Sequence, residues 1–460
     1  MTTPKTAAVV LAAGLGTRMK SALPKVAHAV AGRPMIGHLM ARLAEFGAER
    51  TVVVLSPATT EVGAHVAPAT IAIQDPSLGT GHAVMAARDA LAGFDGDVLV
   101  LFADTPLLTV DTMRRMVDAR RAKGDPAVVV LGFRPDDPSE YGRLVTARGK
   151  GGALQAIVEH RDATPAQRRI GLCNAGIMAI DGKRLFALLD AMGNDNSKGE
   201  YYLTDIVAIA HGRGWSCTVV ETADAGEVMG VNSRADLAVA EAVMQRRLRA
   251  AAMANGATLT DPDTVWLSWD TILGRDVTIG PNVWFGPGTV VGDNVEIRAF
   301  CHIEGARIEP GAIVGPFARL RPGARLGRDV HIGNFVEIKE ATLEEGAKAN
   351  HLSYIGDSHV GAGANIGAGT ITCNYDGFMK SRTEIGAGAF IGSNTALVAP
   401  VKVGDRAVIG AGSVIAKDVA ADALGVTRAP QEERPGWALK YRMRKQSRKE
   451  AAKGRRKRAG

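Results

Sequence analysis

Glycines and cationic side chains follow an apolar run near the start of the chain. Residues 7–11 form that run, and Gly14, Gly16, Arg18 and Lys25 come shortly after it. Glycine leaves room for backbone N–H groups to close around phosphate oxygens, and cations offset the negative charge that develops in phosphoryl or nucleotidyl transfer. The pattern therefore predicts a site for a nucleoside triphosphate.

This stretch does not match the two commonest phosphate-binding patterns. It lacks the Gly-Lys-Ser/Thr of a Walker loop and the third glycine of the dinucleotide fingerprint. A tight strand-to-helix turn, with glycines needed only for backbone geometry, is the structural alternative. The run Leu11-Ala-Ala-Gly-Leu-Gly-Thr-Arg-Met19, followed by Pro24-Lys25, resembles the signature of the sugar-nucleotide pyrophosphorylases. That resemblance favours nucleotidyl transfer.

Two further features suit the same chemistry. Asp104 ends the apolar run 98–103, and one carboxylate at a strand end is enough to help hold Mg²⁺, which takes few ligands from a protein. A turn cap before Thr105 is the alternative role for this carboxylate. Gln74 and the glycine-rich residues 78–83 suit hydrogen bonding to a pyrimidine edge, although each by itself is an ordinary loop feature.

Beyond residue 256, apolar residues recur every six positions. The interval holds in two runs, Leu273, Ile279, Phe285 and Val291, and then Ile385, Ile391, Leu397, Val403, Ile409 and Ile415. Each short strand then places one apolar residue inward, and the coils stack into a parallel β-helix. Resemblance to the hexapeptide-repeat acyltransferases implies the left-handed form, a trimer and active sites between neighbouring coils.

The repeat is interrupted at residues 373–380. A β-helix does not need such an excursion for packing, so we predict a functional loop there, with a tolerated surface insertion as the alternative.

Taken with the opening signature, Gln74 and residues 78–83 closely resemble the GlmU family. That family joins an N-acetylglucosamine-1-phosphate uridylyltransferase to a glucosamine-1-phosphate N-acetyltransferase. The resemblance covers nearly the whole chain and includes the short motifs at 141–143, 157–160, 174–176, 200–205 and 230–232. It implies UTP and acetyl-CoA as co-substrates, Mg²⁺ as cofactor, and the supply of UDP-N-acetylglucosamine for peptidoglycan and lipopolysaccharide.

The resemblance assigns the nucleotide and the sugar to the first half. The residues matched to contacts with UTP or the UDP-sugar are Leu11, Ala12, Gly14, Arg18, Lys25, Gln74, Gly79, Thr80, Phe102, Asp104, Gly142, Glu159, Asn174 and Asn232. Among them, Asp104 and Asn232 match the Mg²⁺ ligands. One departure stands beside the metal residue, because the family commonly has Tyr-Gly-Asp where this chain has Phe102-Ala103-Asp104.

Acetyl transfer to an amino sugar needs a base, because the ammonium group must lose a proton before its nitrogen can attack a thioester. Histidine titrates in the right range. His351, in the irregular stretch 348–356, matches the base of the family. The residues matched to glucosamine-1-phosphate are Arg319, Lys339, Tyr354 and Asn365, and those matched to acetyl-CoA are Ala368, Asn374, Tyr375, Ser393, Ala411 and Arg428.

Length and patterning indicate more than one domain in the 460 residues. Alternating β-rich and helical runs predict an α/β nucleotidyltransferase domain at 1–234, Rossmann-like with a mostly parallel sheet. Good helix formers at 235–255 predict a helical linker. Residues 256–460 then form the left-handed parallel β-helix and a basic C-terminal tail.

Composition narrows the class of protein further. No apolar run reaches the roughly 18 residues needed to span a bilayer, and the four cysteines form no close pair, so we expect a soluble, cytoplasmic protein. The net charge of +7 is concentrated after Leu439, in a tail that we expect to be solvated and disordered.

Two other functions compete with the bifunctional enzyme. A single-activity pyrophosphorylase with a structural or regulatory β-helix would explain the repeat, but not His351, Lys339 and the 374–375 loop together. A nucleic-acid-associated scaffold would use the basic tail, but the rest of the chain is close to neutral. We therefore expect small-molecule substrates, a homotrimer and no nucleic acid.

Overall fold

The computed structural model describes residues 5–138, 141–147, 153–196 and 198–458, with side chains described as far as 451. It divides into two compact units, Met1–Val290 with His302–Glu304, and Val291–Cys301 with Gly305–Gly460. Within the described residues, no helix combines the length and the apolar character that crossing a membrane requires.

The first unit is an α/β structure. Its main strands are β1 (Thr6–Leu11), β2 (Ala29–Val30), β3 (Arg33–Pro34), β4 (Arg50–Leu55), β5 (Thr70–Ile73), β6 (Asp97–Phe102), β7 (Val128–Phe133), β8 (Arg143–Thr146), β9 (Leu154–Val158), β10 (Cys173–Asp181) and β11 (Cys217–Glu221). Its helices are α1 (Met35–Phe46), α2 (Thr80–Met85), α3 (Val110–Arg120), α4 (Pro165–Arg168), α5 (Gly182–Leu189), α6 (Asp205–Gly212) and α7 (Arg234–Ala254).

A mixed sheet in the order β11-β7-β10-β6-β1-β4-β5 organises this unit. Strand β10 runs antiparallel to β6 and β7, while the other pairs along this path are parallel. The prediction of an α/β domain is confirmed, and the antiparallel β10 makes the sheet mixed. Helix α7 coincides with the predicted linker helix to within one residue.

Helices cover both faces of the sheet, which explains why β1 is buried throughout. Ala7, Val9 and Leu11 pack on the side of α2, α5 and α6. Ala8 and Val10 pack on the side of α1 and α3. Since successive side chains of a strand point to opposite faces, a continuous apolar run is what a doubly covered strand requires.

The predicted β-helix is confirmed and is left-handed. Its strands are β12 (Thr258–Leu259), β13 (Ile272–Leu273), β14 (Thr278–Ile279), β15 (Trp284–Phe285), β16 (Val290–Val291), β17 (Glu296–Ile297), β18 (His302–Ile303), β19 (Arg307–Ile308), β20 (Ile313–Val314), β21 (Arg319–Leu320), β22 (Arg325–Leu326), β23 (His331–Asn334), β24 (Glu337–Lys339), β25 (Thr342–Leu343), β26 (Lys348–His351), β27 (Tyr354–Gly356), β28 (Ser358–Val360), β29 (Asn365–Ile366), β30 (Ile371–Cys373), β31 (Thr383–Ile385), β32 (Phe390–Ile391), β33 (Ala396–Val398), β34 (Val401–Val403), β35 (Val408–Ile409), β36 (Val414–Ile415) and β37 (Leu424–Gly425).

In the second unit these strands form three parallel sheets, one on each face of the coil. The orders are β17-β20-β23-β26-β29-β32-β35-β37, β19-β22-β25-β28-β31-β34 and β21-β24-β27-β30-β33-β36. The six-residue period places its apolar residue inward, and Ile385, Ile391 and Leu397 are at most 1% exposed. Of the predicted positions, only Leu273 is half-buried rather than buried.

The inserted loop and the tail extend from this regular body. Tyr375 pairs with Lys380 across the loop in a short antiparallel bridge, and Phe378 at the tip is 93% exposed. The basic tail forms helix α8 (Trp437–Arg458), whose described side chains are exposed. It is therefore solvated as expected but not disordered, because alanine, leucine, lysine and arginine are good helix formers.

A buried carboxylate holds the N-terminus of α3 in the first unit. Glu227 is 4% exposed and accepts hydrogen bonds from Thr109 N at 2.8 Å, Thr109 Oγ1 at 2.5 Å, Thr112 Oγ1 at 3.0 Å and Thr222 Oγ1 at 3.1 Å. A negative charge at a helix N-terminus is also favoured by the helix dipole.

We expect Glu227→Ala to lower the free energy of unfolding by about 2–4 kcal/mol, because four buried donors lose a charged acceptor. Glu221→Ala is the matched control, since Glu221 pairs with Arg134 at the surface, where both side chains are about half exposed, and it should cost less than about 1 kcal/mol. Urea unfolding of both variants measures the difference, and equal midpoints would contradict this account.

Candidate functional sites

A cavity of about 620 Å³ lies in the first unit, at the carboxyl ends of parallel strands β1, β5 and β6. In open α/β sheets this edge is the usual place for a ligand. The sequence-predicted residues that line it are Leu11, Ala12, Gly14, Lys25, Gln74, Gly79, Thr80, Phe102, Asp104 and Glu159. Residues from distant parts of the first half thus meet in one pocket.

Four predicted residues lie outside the lining. Arg18 is exposed on the short 3-10 turn Thr17–Met19. Gly142 and Asn174 lie beside each other, because Asn174 N donates to Gly142 O at 2.8 Å. The fourth, Asn232, contacts the lining residue Lys25.

Gly16 has a structural reason to be glycine. Its φ is +65°, and a Cβ there would collide with the Cβ of Lys25. The close approach holds the stem of Lys25 against the turn. Gly16 therefore serves the geometry of a tight turn, and that turn places the ammonium group of Lys25 in the cavity. The tight-turn and the phosphate-binding interpretations are compatible.

The ammonium of Lys25 sits between two oxygens that come from different loops. Lys25 Nζ donates to Asp104 Oδ2 and, at 3.0 Å, to Asn232 Oδ1. The side chains of Lys25 and Asp104 are only 13% and 15% exposed. A carboxylate and an amide oxygen that converge on one cationic group are ligands that Mg²⁺ prefers. The donor set therefore fits a divalent cation.

Hydrogen bonds between side chains and backbone hold residues 74–80 in the wall of the cavity. Gln74 is 3% exposed, and its Nε2 donates to Gly79 O at 2.9 Å. Gly79 has φ +97°, and a Cβ there would lie 2.7 Å from Tyr201 O. Thr80 Oγ1 accepts from Leu203 N at 3.1 Å. Segments 74–80 and 201–203 are therefore packed together in the wall of the cavity.

Glu159 brings a carboxyl group with an altered pKa to the wall of the cavity. Burial raises its pKa, and the hydrogen bond that Thr204 Oγ1 donates at 3.4 Å opposes that shift. The carboxyl also lies against Gly142, where a Cβ would be 3.5 Å from Glu159 Oε2. Perturbed carboxyls in clefts are typical of binding sites.

Phe102 and Ala103, which stand where the family commonly has Tyr-Gly, make close contacts within the protein. The ring of Phe102 packs against Gly176, whose φ is +82° and where a Cβ would lie 2.8 Å from the ring. Ala103 N donates to Leu11 O at 3.1 Å, and Phe102 O accepts from Thr105 N at 3.2 Å. These backbone groups already have partners within the protein.

Sequence reasoning missed several lining residues. Ser77, Arg161 and Lys198 also face the cavity, with His160 and Tyr202 beside them. His160 and Tyr202 belong to the short motifs at 157–160 and 200–205, so those motifs were the available signal. Arg161 and Lys198 bring cationic groups to the lining, where Asp162 and Glu200 also lie, and Lys198 Nζ is 4.0 Å from Glu200 Oε2.

A second group of predicted residues lies along one corner of the β-helix, in the second unit. His351, Ala368, Ser393 and Ala411 occupy this corner on successive coils, which the backbone shows directly. Gly369 N donates to His351 O at 3.4 Å, Asn394 N to Ala368 O at 2.7 Å and Gly412 N to Ser393 O at 2.8 Å. The side chain of Arg428 also reaches this corner, because its Nη1 donates to Ala411 O at 2.7 Å. We call His351, Ala368, Ser393 and Ala411 the corner column.

The two sheets that meet at this corner carry most of the remaining predicted residues. Arg319 on β21 and Tyr354 on β27 each face Glu337 on β24, one from either side. Asn365 lies on β29 of the adjoining sheet, which pairs with β26. Tyr354 and Asn365 thus lie on the sheets beside the corner column, and Arg319 lies two coils before Tyr354 on the same sheet.

Lys339 and Asn374 meet at Asp357, a residue that the sequence did not single out, and Tyr354 joins them through Asn374. Lys339 Nζ donates to Asp357 Oδ2 at 3.2 Å, and both side chains are largely buried. Asn374 Nδ2 donates to the same oxygen and to Tyr354 Oη at 3.3 Å. The inserted loop is thus tied to this cluster at its base. Tyr375 is exposed, and its hydroxyl donates to Gly377 O at 2.6 Å.

His351 itself is exposed and makes one described side-chain hydrogen bond. Its Nδ1 lies 2.8 Å from Asn334 Oδ1. Asn334 belongs to the preceding coil, and β23 and β26 pair with Asn334 opposite His351.

Comparisons with known proteins agree with the α/β fold of the first unit and the β-helix of the second. A family model described as MobA-like NTP transferase domain matches residues 8–170. A model described as bacterial transferase hexapeptide (six repeats) matches residues 270–305, 305–340 and 382–417.

Curated relatives match over nearly the full length. The Bifunctional protein GlmU of Paramagnetospirillum magneticum is 62% identical over 98% of this chain and 99% of its own. That of Rhodospirillum rubrum is 64% identical over 95% and 97%, and that of Sphingopyxis alaskensis is 55% identical over 95% and 96%. The chain therefore belongs to the GlmU family of bifunctional proteins.

Proposed function

We propose that this enzyme makes UDP-N-acetylglucosamine in two steps at two sites. The corner column of the β-helix transfers an acetyl group from acetyl-CoA to glucosamine-1-phosphate. The cavity of the first unit then transfers a uridylyl group from UTP to N-acetylglucosamine-1-phosphate and releases pyrophosphate. One observation carries the proposal: the chain has two candidate sites. The first is a cavity in which Lys25 lies between Asp104 and Asn232. The second is the β-helix corner at which His351 lies among small residues.

In the first unit, catalysis rests on position and charge. A phosphate oxygen of the sugar attacks the α-phosphorus of UTP, the new P–O bond forms, and the bond to pyrophosphate breaks. Backbone at Leu11–Gly14 and the ammonium of Lys25 bind the phosphates, which offsets the charge that develops. Gln74, Gly79 and Thr80 orient the base, while Gly142, Glu159 and Asn174 hold the sugar.

The cofactor that we propose for this site is Mg²⁺. Asp104 and Asn232 are the residues that would hold it, and when bound it neutralises charge on the phosphate oxygens.

In the second unit, His351 is the proposed base. The neutral amine of glucosamine-1-phosphate attacks the acetyl carbon, the C–N bond forms, and the C–S bond of acetyl-CoA breaks. His351 takes the proton that the attacking nitrogen loses and returns it to the departing sulfur. Arg319, Lys339, Tyr354 and Asn365 bind the sugar phosphate. Small residues of the corner column leave room for acetyl-CoA, which Asn374, Tyr375 and Arg428 also contact.

The wider setting is part of the same proposal. We infer domains at 1–234 and 256–460 with the linker at 235–255, a homotrimer assembled through the β-helix, and a cytoplasmic location. The product would serve peptidoglycan and lipopolysaccharide synthesis.

Asp104→Ala should lower uridylyltransferase kcat/KM by at least about 10²-fold, because a charge-balancing group in a preorganised site is lost. Acetyl transfer in the same protein should be unchanged. Parallel assays of pyrophosphate release and coenzyme A release measure both activities. Asp118→Ala, an exposed position on α3, is the control, and retention of uridylyl transfer by Asp104→Ala would remove that residue from its role.

Lys25→Met should let the nucleotide-free protein bind Mn²⁺ more tightly, because an ammonium group no longer competes with the ion for Asp104 and Asn232. The same variant should bind UTP more weakly. Titration followed by electron paramagnetic resonance of free Mn²⁺ gives the first quantity. Lys20→Met, at an exposed position, should behave as the unchanged protein, and weaker Mn²⁺ binding by Lys25→Met would show that the lysine does not occupy the ion's place.

His351→Ala should abolish the glucosamine-1-phosphate-dependent release of coenzyme A thiol from acetyl-CoA, a loss of about 10²–10⁴-fold. Uridylyl transfer should stay intact. The control is His359→Gln, because His359 lies on a different sheet and pairs with Glu344 at 3.2 Å. If the unchanged, folded protein releases no thiol, the β-helix is structural and the single-activity enzyme is the correct function.

A further inference from the structure

We propose that Asn334 is the positioning residue that fixes the orientation and the tautomer of His351. The inference rests on the proposed acetyl transfer and adds a residue that neither the motifs nor the family resemblance singled out. The argument follows from the place of Asn334 in the fold, from the chemistry of its amide group and from the charges around it.

Asn334 extends the corner column by one coil. Leu352 N donates to Asn334 O at 3.0 Å, just as Gly369 N donates to His351 O one coil later. Strands β23 and β26 place Asn334 directly opposite His351. Asn334 therefore occupies the corner position one coil before the corner column, and it is the neighbour of the base on the side away from the small residues.

The side chains meet as well as the backbones. Asn334 Oδ1 lies 2.8 Å from His351 Nδ1, which is a good hydrogen-bond distance. An amide oxygen can only accept. His351 must therefore carry its proton on Nδ1, which leaves the lone pair of Nε2 available to take a proton from the amine.

An amide rather than a carboxylate at this position has a consequence for the strength of the base. A carboxylate would stabilise the imidazolium form and keep histidine protonated to higher pH. A neutral amide fixes the ring without adding charge. The contact therefore holds the Nδ1–H group in place without a negative charge beside the ring.

Other charged groups approach the same sheet face. His331 on β23 pairs with Lys348 on β26, at the start of the two strands that carry Asn334 and His351. Arg298, which pairs with Glu296, lies close to His331. Burial and then the charges of Arg298 and Lys348 lower the pKa of His331. His331 is the same in the unchanged protein and in the Asn334 variants, so a difference between their pH profiles is measured against a constant contribution from His331.

Asn334→Ala should lower the kcat of acetyl transfer by roughly 10- to 100-fold, less than the loss of the base itself. The KM values for glucosamine-1-phosphate and acetyl-CoA should stay within about twofold, since no substrate contact is removed. Uridylyl transfer, measured on the same preparation, should be unchanged and shows that the protein is folded. The matched control is Asn350→Ala, on the next strand beside His351, whose Oδ1 has no hydrogen-bond partner in the described structure.

Asn334→Asp restores an acceptor and adds charge. It should recover most of the lost kcat at high pH, and it should move the acidic limb of the kcat profile to higher pH, because the carboxylate favours the protonated base. Recovery without a shifted limb, or a shift to lower pH, would overturn the proposed contact.

Selective ¹⁵N labelling of histidine gives a readout that does not depend on turnover. The His351 signal, assigned by its absence in His351→Gln, should show the Nδ1–H tautomer in the unchanged protein and a shift towards Nε2–H in Asn334→Ala. Wild-type kcat together with an unchanged tautomer in Asn334→Ala would refute the inference. Acetyl transfer that survives His351→Ala would instead refute the proposed base, so the two failures are distinguishable.

Discussion

Parallel strand pairing in register brings together the segments that carry most of the candidate functional side chains. In the first unit, pairing of β1 with β4 and β6 brings the carboxyl ends of the strands to one edge, where the cavity forms. In the second unit, the same kind of pairing repeats coil after coil and sets corner residues above one another. A slip of one residue would turn each side chain to the opposite face.

The same geometry brings charged and polar side chains together in the cavity. Lys25 lies between Asp104 and Asn232. Residue 16 must be glycine for this arrangement, because a Cβ there would collide with the Cβ of Lys25. A buried ammonium with two oxygen partners is stable, but it also marks the position where another cation would be favoured. The ion pair therefore has a structural role, and under the proposed function it also marks the place of the metal ion.

The β-helix uses its repeat differently. Inward positions are uniform because they fill a narrow core, whereas corner positions are free to vary. That freedom allows Asn334, His351 and Ala368 to occupy equivalent places with different chemistry. The inserted loop adds Asn374 to the same region without disturbing the coil, since it joins the cluster at Asp357. Small local changes in a regular scaffold thus suffice to build a site.

The sequence by itself determined the architecture and most of the cavity. The six-residue period specifies a β-helix because each coil is a local structure. The run from Leu11 to Lys25 predicts a phosphate loop because glycine and charge lie close along the chain, and several of its residues line the cavity. Tertiary structure alone decided that Arg18 stays outside the cavity while Lys198 lines it, that Asp357 gathers Lys339 and Asn374, and that Asn334 touches His351. These contacts join residues on different coils or loops, and only the pairing of strands brings such residues together.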